Sequence, residues 1–263
     1  MKTVFHLQSG RNGADTLLLE LGPDHCCYAM LDSHHKSFDQ IRYLGYDEFE
    51  IEEKLYTALE EINGDFETVR VCSAYPQALL TPKHLFTGDY SLLEVLFDGV
   101  SMHHLNDVIP EWQVTNLYSL PSSLYQLVKS RFPNAQYCHA YTPVLKIYNG
   151  FVAPDQVDIH FSIHQFRIIV KKEGQLQLAQ TYKYKTPLDV VYYLLKIFSE
   201  FHLDQSEAFL VVSGLLEKDS ALYHEMHNYF VNIHFAQAPE YSIPGDAHPH
   251  YYFTSLYNLA ACG

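Results

Sequence analysis

TLLLELGPDHCCYAMLDSHHKSFDQIRYL, residues 16 to 44, decides the fold. Three short apolar or alternating runs, Thr16 to Leu21, Cys26 to Leu31 and Phe38 to Leu44, are separated by Gly22-Pro23-Asp24 and by Asp32-Ser33-His34-His35, residue types that make tight turns. The stretch reads as three consecutive antiparallel strands. Downstream, Phe49, Ile51, Leu55, Leu59 and Ile62 recur at mostly helical spacing, with Asp47 as a cap and Asn63-Gly64 as a stop, and this predicts a helix of about four turns. Thr68 to Cys72, TVRVC, is β-branched and bounded by polar residues, so it reads as a fourth strand. The order is βββαβ.

That order returns after Pro154. Val157 to Ile163, Phe166 to Lys171 and Leu176 to Tyr184 read as strands broken by Ser162 to Gln165 and by Glu173-Gly174. Thr186-Pro187 opens a helix whose stripe is Leu188, Val191, Leu194, Leu195 and Phe198: Thr186 is a natural cap, and Pro187 sits where a missing N–H costs nothing. Phe209 to Val212 is the matching fourth strand and ends in Ser213-Gly214. The tails correspond too. Ser122 to Phe132 then Ala135 to His139 in the first half, and Ser220 to Phe230 then Asn232 to Phe235 in the second, each read as a helix feeding a short strand, with a closing helix at Thr142 to Tyr148 and at Thr254 to Leu259. Ala74 to Leu120 has no counterpart. It holds Ala78 to Phe86, a helix-like Tyr90 to Phe97 and a strand-like Trp112 to Tyr118, and reads as an insertion of about residues 74–120 in the first half. The domains expected are therefore residues 1–152 and 153–263, joined near Asn149-Gly150 and Pro154.

Composition narrows the function. With 17 Lys plus Arg against 31 Asp plus Glu, the net charge of −14 repels a phosphate backbone, so nucleic acid is a poor partner. Five cysteines, two of them the adjacent Cys26 and Cys27, which point to opposite faces of a strand, make no disulfide framework and fit a reducing compartment. The N-terminus meets Gln8, Arg11, Asn12 and Asp15 before an apolar run of signal-peptide length develops, and no segment reaches the roughly 18 uninterrupted apolar residues of a membrane span. The cytoplasm, without membrane insertion, is the expectation. The histidine-rich spots His34-His35, His103-His104 and His248-Pro249-His250 lack any metal-site spacing, so no metal is expected. Cys72 and Cys138 lie in or beside apolar strands, where a thiol packs as a small hydrophobe. There is no GxSxG elbow and no GxxxxGK[ST] loop. Twenty-one tyrosines, clustered at Tyr182-Lys183-Tyr184, Tyr192-Tyr193 and Tyr251-Tyr252, suit either strand faces or a partner interface.

On its element order, from about Thr16 to Cys262, the chain resembles the actin, Hsp70 and sugar-kinase superfamily, an α/β class with two βββαβα halves of ribonuclease H-like fold. Its layout is nearest to the pilus-assembly and cell-division actin-like proteins, and within them to a bacterial family described as a domain of unknown function. In active members an Asp-x-Gly turn in each half brings backbone N–H groups to nucleotide phosphates while the carboxylate holds hydrated magnesium, and a Gly-Gly turn meets the adenosine. Carried over, the resemblance assigns Glu20 and Gly22 to the first turn, Asp158 and His160 to the second, with His160 in the glycine position, and Ser213 and Gly214 to the third. Pro23 removes a donor from the first turn, and an imidazole stands where phosphate needs bare backbone in the second. These six are the candidate cleft residues, and the bland alternative is that they are strand-end turn residues. The reading is a non-catalytic or degenerate scaffold acting through a protein partner, bound at the cleft or the inserted segment, with no cofactor required. The alternatives are an ATPase or phosphotransferase with ATP and magnesium in the inter-half cleft, Asp158 orienting the metal, and a small-ligand sensor without chemistry.

Overall fold

The computed structural model describes residues 2–11, 13–46, 51–96, 101–147, 152–237, 239–245 and 248–262. The chain forms two compact units. The first comprises Met1–Ile147, Pro239–His248 and Leu256–Gly263; the second comprises Tyr148–Ala238 and Pro249–Ser255.

In the first unit a six-stranded sheet has the order β1-β4-β3-β2-β5-β9, built from β1 (Lys2–Gln8), β2 (Thr16–Leu21), β3 (His25–Asp32), β4 (Ser37–Gly45), β5 (Thr68–Ser73) and β9 (Gln136–His139). Strands β2, β3 and β4 are antiparallel neighbours, while β5 runs parallel to β2 and β9 parallel to β5. Helix α1 (Ile51–Glu61) supplies the first crossover; the cap expected at Asp47 and the stripe residue Phe49 lie outside the described residues. Alternation explains the packing: Leu17, Leu19 and Leu21 of β2 and Cys26 and Tyr28 of β3 share a core with Leu55 and Leu59 of α1, and with Leu124 and Val128 of α3 (Ser122–Arg131). Cys27 therefore faces the other way from Cys26, as the period of two requires.

Residues 74–120 form a second, three-stranded antiparallel sheet, β6-β8-β7, from β6 (Ala78–Pro82), β7 (Met102–Ile109) and β8 (Val114–Pro121), with the short helix α2 (Ser91–Leu96) between β6 and β7. Phe97, the expected end of that helix, lies outside the described residues. Helix α4 (Tyr141–Lys146) follows β9, and Trp112 Nε1 donates to Leu145 O at 2.9 Å, tying the small sheet to it.

In the second unit a five-stranded sheet has the order β12-β11-β10-β13-β14, from β10 (Gln156–Phe161), β11 (Gln165–Lys172), β12 (Gln175–Lys183), β13 (Phe209–Gly214) and β14 (Ile233–Phe235). The directions repeat those of β2, β3, β4, β5 and β9 strand for strand. Helix α5 (Pro187–Glu200) opens with a full capping box: Thr186 Oγ1 accepts from Asp189 N at 3.3 Å, and Asp189 Oδ2 accepts from Thr186 N at 2.8 Å. Val190, Leu194, Ile197 and Phe198 of this helix pack on Val157, Ile159 and Phe161 of β10 and Phe166, Ile168 and Val170 of β11. Helix α6 (Ala221–His227) leads into β14, capped by Ser220.

The last stretch returns to the first unit. Phe38 packs on Tyr241 at 5.7 Å and on Tyr257 at 5.8 Å between ring centres, Ser37 bridges to Ser242, and the Arg70 guanidinium donates to Ala260 O at 2.7 Å. Leu256, Tyr257 and Leu259, in helix α7 (Thr254–Ala261), are buried, so 239–248 and 256–263 complete the core of a unit that begins some two hundred residues earlier.

Candidate functional site

Strand register fixes which residues of the two halves correspond. Leu21 pairs with Cys26 and Ser73, and Phe161 pairs with Phe166 and Gly214. Each hairpin closes the same way, Gly22 N donating to His25 O at 2.9 Å and Ser162 N to Gln165 O at 2.8 Å. Beyond β5 and β13, Ala74 N donates to Leu21 O at 2.7 Å and Leu215 N to Phe161 O at 2.9 Å. It follows that Glu20 corresponds to His160, Gly22 to Ser162, His25 to Gln165 and Ser73 to Gly214. Two placements change. The residue of the second half in the position of Gly22 is Ser162, and His160 takes the acid's position; Asp158 lies one strand repeat earlier, in the position of Leu18. Without the register, the alternating run into Ile163 hides where β10 stops.

In the first hairpin the space beside Gly22 belongs to His25. A Cβ on Gly22 would lie 2.4 Å from His25 Cε1 and 2.6 Å from Nδ1, so the glycine admits the imidazole ring. The ring is held between two carboxylates, Nδ1 at 2.7 Å from Asp24 Oδ1 and Nε2 at 3.0 Å from Glu20 Oε1, and stacks on Tyr43 at 5.0 Å. Tyr46 Oη donates to Gly22 O at 2.9 Å and also reaches His25 O, locking the turn from behind. Burial alone would push the imidazole down, but hydrogen bonds to Asp24 and then Glu20, with their charges, raise it to about 9. With an acceptor at each nitrogen, His25 is an imidazolium at neutral pH.

The second hairpin has no such ion. Gln156, Asp158 and His160 lie on the face of β10 opposite the α5 core, beside Arg167 and Lys171 of β11 and Ser213 of β13. Asp158 is half-buried and accepts from Gln156 Nε2 at 2.9 Å. Burial raises its carboxyl to about 7, opposed by the Gln156 hydrogen bond and by the charges of Lys171 and Arg167. Lys171 is lowered, again by burial first, with Asp158 opposing. His160 Nδ1 lies 2.9 Å from Ser213 Oγ. Gly214 has φ +79°, and a Cβ there would lie 2.1 Å from Phe161 O, so this glycine serves a close approach of backbone to backbone.

A third polar group lies at the carboxyl ends of β5 and β9, where open parallel sheets present their ligand-binding edge. Asp107 of β7 accepts from Thr142 Oγ1 at 2.6 Å and from His139 N at 2.8 Å, and His139 Nε2 donates to Tyr75 O at 2.9 Å. Burial holds the Asp107 carboxyl above its ordinary range against those hydrogen bonds. The small sheet thus packs a side chain of its own into the strand ends of the first unit.

Glu20, Gly22 and the unexpected Asp24 and His25 are thus brought together in one unit, and Asp158, His160, Ser213 and Gly214 in the other. The signal for His25 is present in the sequence as acids one and five residues before it across a two-strand turn. That for Arg167 and Lys171 is two cations, four apart, inside the apolar run FRIIVKK. The paired histidines have separate partners: His103 stacks on Tyr125 at 3.6 Å, while His104 meets Ser119 Oγ at 2.7 Å. Among the described residues no three His, Cys, Asp or Glu side chains converge on a point that could hold a metal ion. Burial raises the Cys26 thiol to about 12 and Cys27 well above its ordinary value. Among the described residues no helix is long and apolar enough to cross a membrane.

The comparisons with known proteins agree with this architecture. A protein of Bacteroides thetaiotaomicron with actin-like ATPase fold and unknown function superposes with a TM-score of 0.78 over 95% of this chain and 97% of its own, at 16% identity. The PilM-PilN type IV pilus biogenesis complex matches with a TM-score of 0.59, 9% identity, and 95% and 98% of the two chains covered. The ethanolamine utilization protein EutJ of Carboxydothermus hydrogenoformans matches at 0.52, 8% identity, with 98% and 92% covered. This chain has the actin-like ATPase fold. No curated protein sequence matches it. The model of the family described as Protein of unknown function (DUF3822) matches residues 7–233, and the chain belongs to that family.

Proposed function

We propose that this member of the DUF3822 family is an actin-fold scaffold, working in the cytoplasm by holding a protein partner and not by turning over a nucleotide. The observation that carries the reading is the use to which the turn glycines are put. Gly22 gives its space to the His25 ring, Gly214 gives its own to Phe161 O, and the remaining turn has Ser162. Phosphate needs bare, donor-rich backbone at such turns. Asp24 and Glu20 add negative charge where a polyanion would approach. A partner is supported by the neighbour whose structure is a complex, PilM with PilN, and by the exposed apolar residues Leu85, Leu92 and Val95 on the small sheet's connections.

Calorimetric titration of Mg-ATP and Mg-ADP into the wild type, Asp158→Ala and Ser162→Gly tests the reading. The expected result is no binding in the micromolar range by any of them. Micromolar binding by the wild type that Asp158→Ala abolishes would replace the scaffold with an ATPase or phosphotransferase. For the partner, a photo-reactive residue at Val95 is expected to give a discrete adduct in cells that one at Tyr56, on α1, does not; equal labelling at both sites would remove the small sheet as the docking surface.

A further inference from the structure

The two sheets differ at one edge. In the first unit β4 is covered by β1, which pairs with it antiparallel from Lys2 to Gln8. The corresponding strand of the second unit, β12, has β11 on one side, and among the described residues no strand lies on the other. Natural edge strands are blunted with charges, prolines, bulges or shortness. Strand β12 is nine residues long with no proline. The irregularity in its pairing with β11 falls at Val170/Lys171, so Leu178 to Lys183 is regular, and the sequence from Gly174 to Tyr182 carries no charge. Beside it, α5 exposes Leu188 and Tyr192, one helical turn apart and 60% and 61% accessible. Tyr192 meets Tyr193 edge-on at 5.5 Å, and Tyr193 stacks on Tyr182 of β12 at 4.3 Å, so the apolar helix face and the open edge are continuous.

We propose that β12 is a self-association edge, pairing antiparallel with β12 of a second copy of this chain about a two-fold axis at Gln180. This register places Leu178 opposite Tyr182 of the other copy, twice by symmetry, on the side that α5 covers. It sets Ala179 opposite Thr181 and Lys183 opposite the uncharged Gln177. Each copy's Lys185 then falls opposite the other's Gln175, two residues from Glu173, so a cation and an acid lie diagonally near both ends of the ladder. A chain of net charge −14 resists self-association over most of its surface, and the uncharged strand is where that resistance is least. The two-fold axis also carries Leu188 and Tyr192 toward their copies, which is the self-complementarity an isologous dimer requires.

Sedimentation of the full-length chain over a range of concentrations tests this, with folding checked by circular dichroism. The wild type is expected to sediment as a dimer, and Leu188→Lys combined with Tyr192→Lys to raise the dissociation constant by about tenfold or more. A short thiol cross-linker is expected to join Gln180→Cys to its copy and to leave Gln175→Cys at the background of the native thiols, a readout of the register that a mere loss of stability cannot produce. A monomeric wild type overturns the proposal. So does a dimer that the double variant leaves unchanged and Gln180→Cys fails to link. A monomer that binds a synthetic peptide of residues 2–8 would assign the edge to an extended segment of another protein and overturn self-pairing as well.

Discussion

The two hairpins, β2–β3 and β10–β11, share a backbone and divide on chemistry. The first closes around a buried cation flanked by two acids; the second has Ser162 and Gln165 at the turn itself, its cations Arg167 and Lys171 along β11, and its acid displaced to the middle of the strand and held toward its protonated form. A three-residue connection closed by the same hydrogen bond does not dictate what fills it. What the halves have in common is only what the sheet needs, and their side chains solve the burial of the turn independently.

Four measurements would break or sharpen that contrast. Gly214→Ala should have the largest effect, about 4 kcal/mol lost in urea unfolding, because the new Cβ meets Phe161 O and φ is positive. The corresponding Ser73→Gly should cost no more than about 1 kcal/mol. Equal losses would mean that the β13 turn is no tighter than the β5 turn. Next, His25→Ala should cost about 3 kcal/mol by leaving Glu20 and Asp24 buried without their shared cation. Gln165→Ala, at the matching position, should cost far less, since Gln165 Oε1 has no hydrogen-bond partner among the described residues.

The pH dependence separates the halves again. His25 is raised from 6.5 to about 9, so its contribution is complete below 6.5 and disappears as pH rises through 9. A thermal-melting profile should fall over that window in the wild type and flatten in His25→Ala. Asp158 is raised from 3.8 to about 7, so the folded state holds its proton more firmly, and stability from this group declines as pH rises from 3.8 to 7. The smallest effect follows: Asp158→Asn should stabilise the chain by about 1 kcal/mol at pH 8, with no gain at pH 4. A loss at pH 8 would show that the carboxylate is held by Lys171 and Arg167 more strongly than it is penalised by burial.

Much of the fold was legible because both halves announce it with the same signals. Turn residues fall between apolar runs, α5 carries Thr186-Pro187 with Asp189 in place, and helices form at both expected tail positions, Tyr141–Lys146 and Thr254–Ala261, although most of the second belongs to the first unit and not to the half expected at 153–263. Strand β1 leaves little signal, because only Phe5 of its alternating residues is buried and so weak an apolar face resembles an unstructured lead-in. Strand β7 is hidden for a related reason: MHHLNDVI has polar groups on both faces and only Ile109 is fully buried, so no apolar alternation marks it. The site was legible as residue types and not as positions. Glu20, Gly22, Ser213 and Gly214 do stand at strand ends, but acid type alone aligns Asp158 with Glu20, and only the ladder reveals the offset of two. His25 is not legible from local pattern, because its meaning depends on Glu20 reaching across a turn, a relation between strands.

The division of the chain into units has a consequence for biosynthesis. Apart from 249–255, the second unit is one continuous run, while the first waits for Pro239–His248 and Leu256–Gly263 to close over Phe38 and Arg70. On the ribosome, chains fold as their segments emerge, at about 5–20 residues per second. The half whose synthesis starts first is therefore the half that is finished last, and while the second is being made, nascent β4 and β5 stand without their final cover.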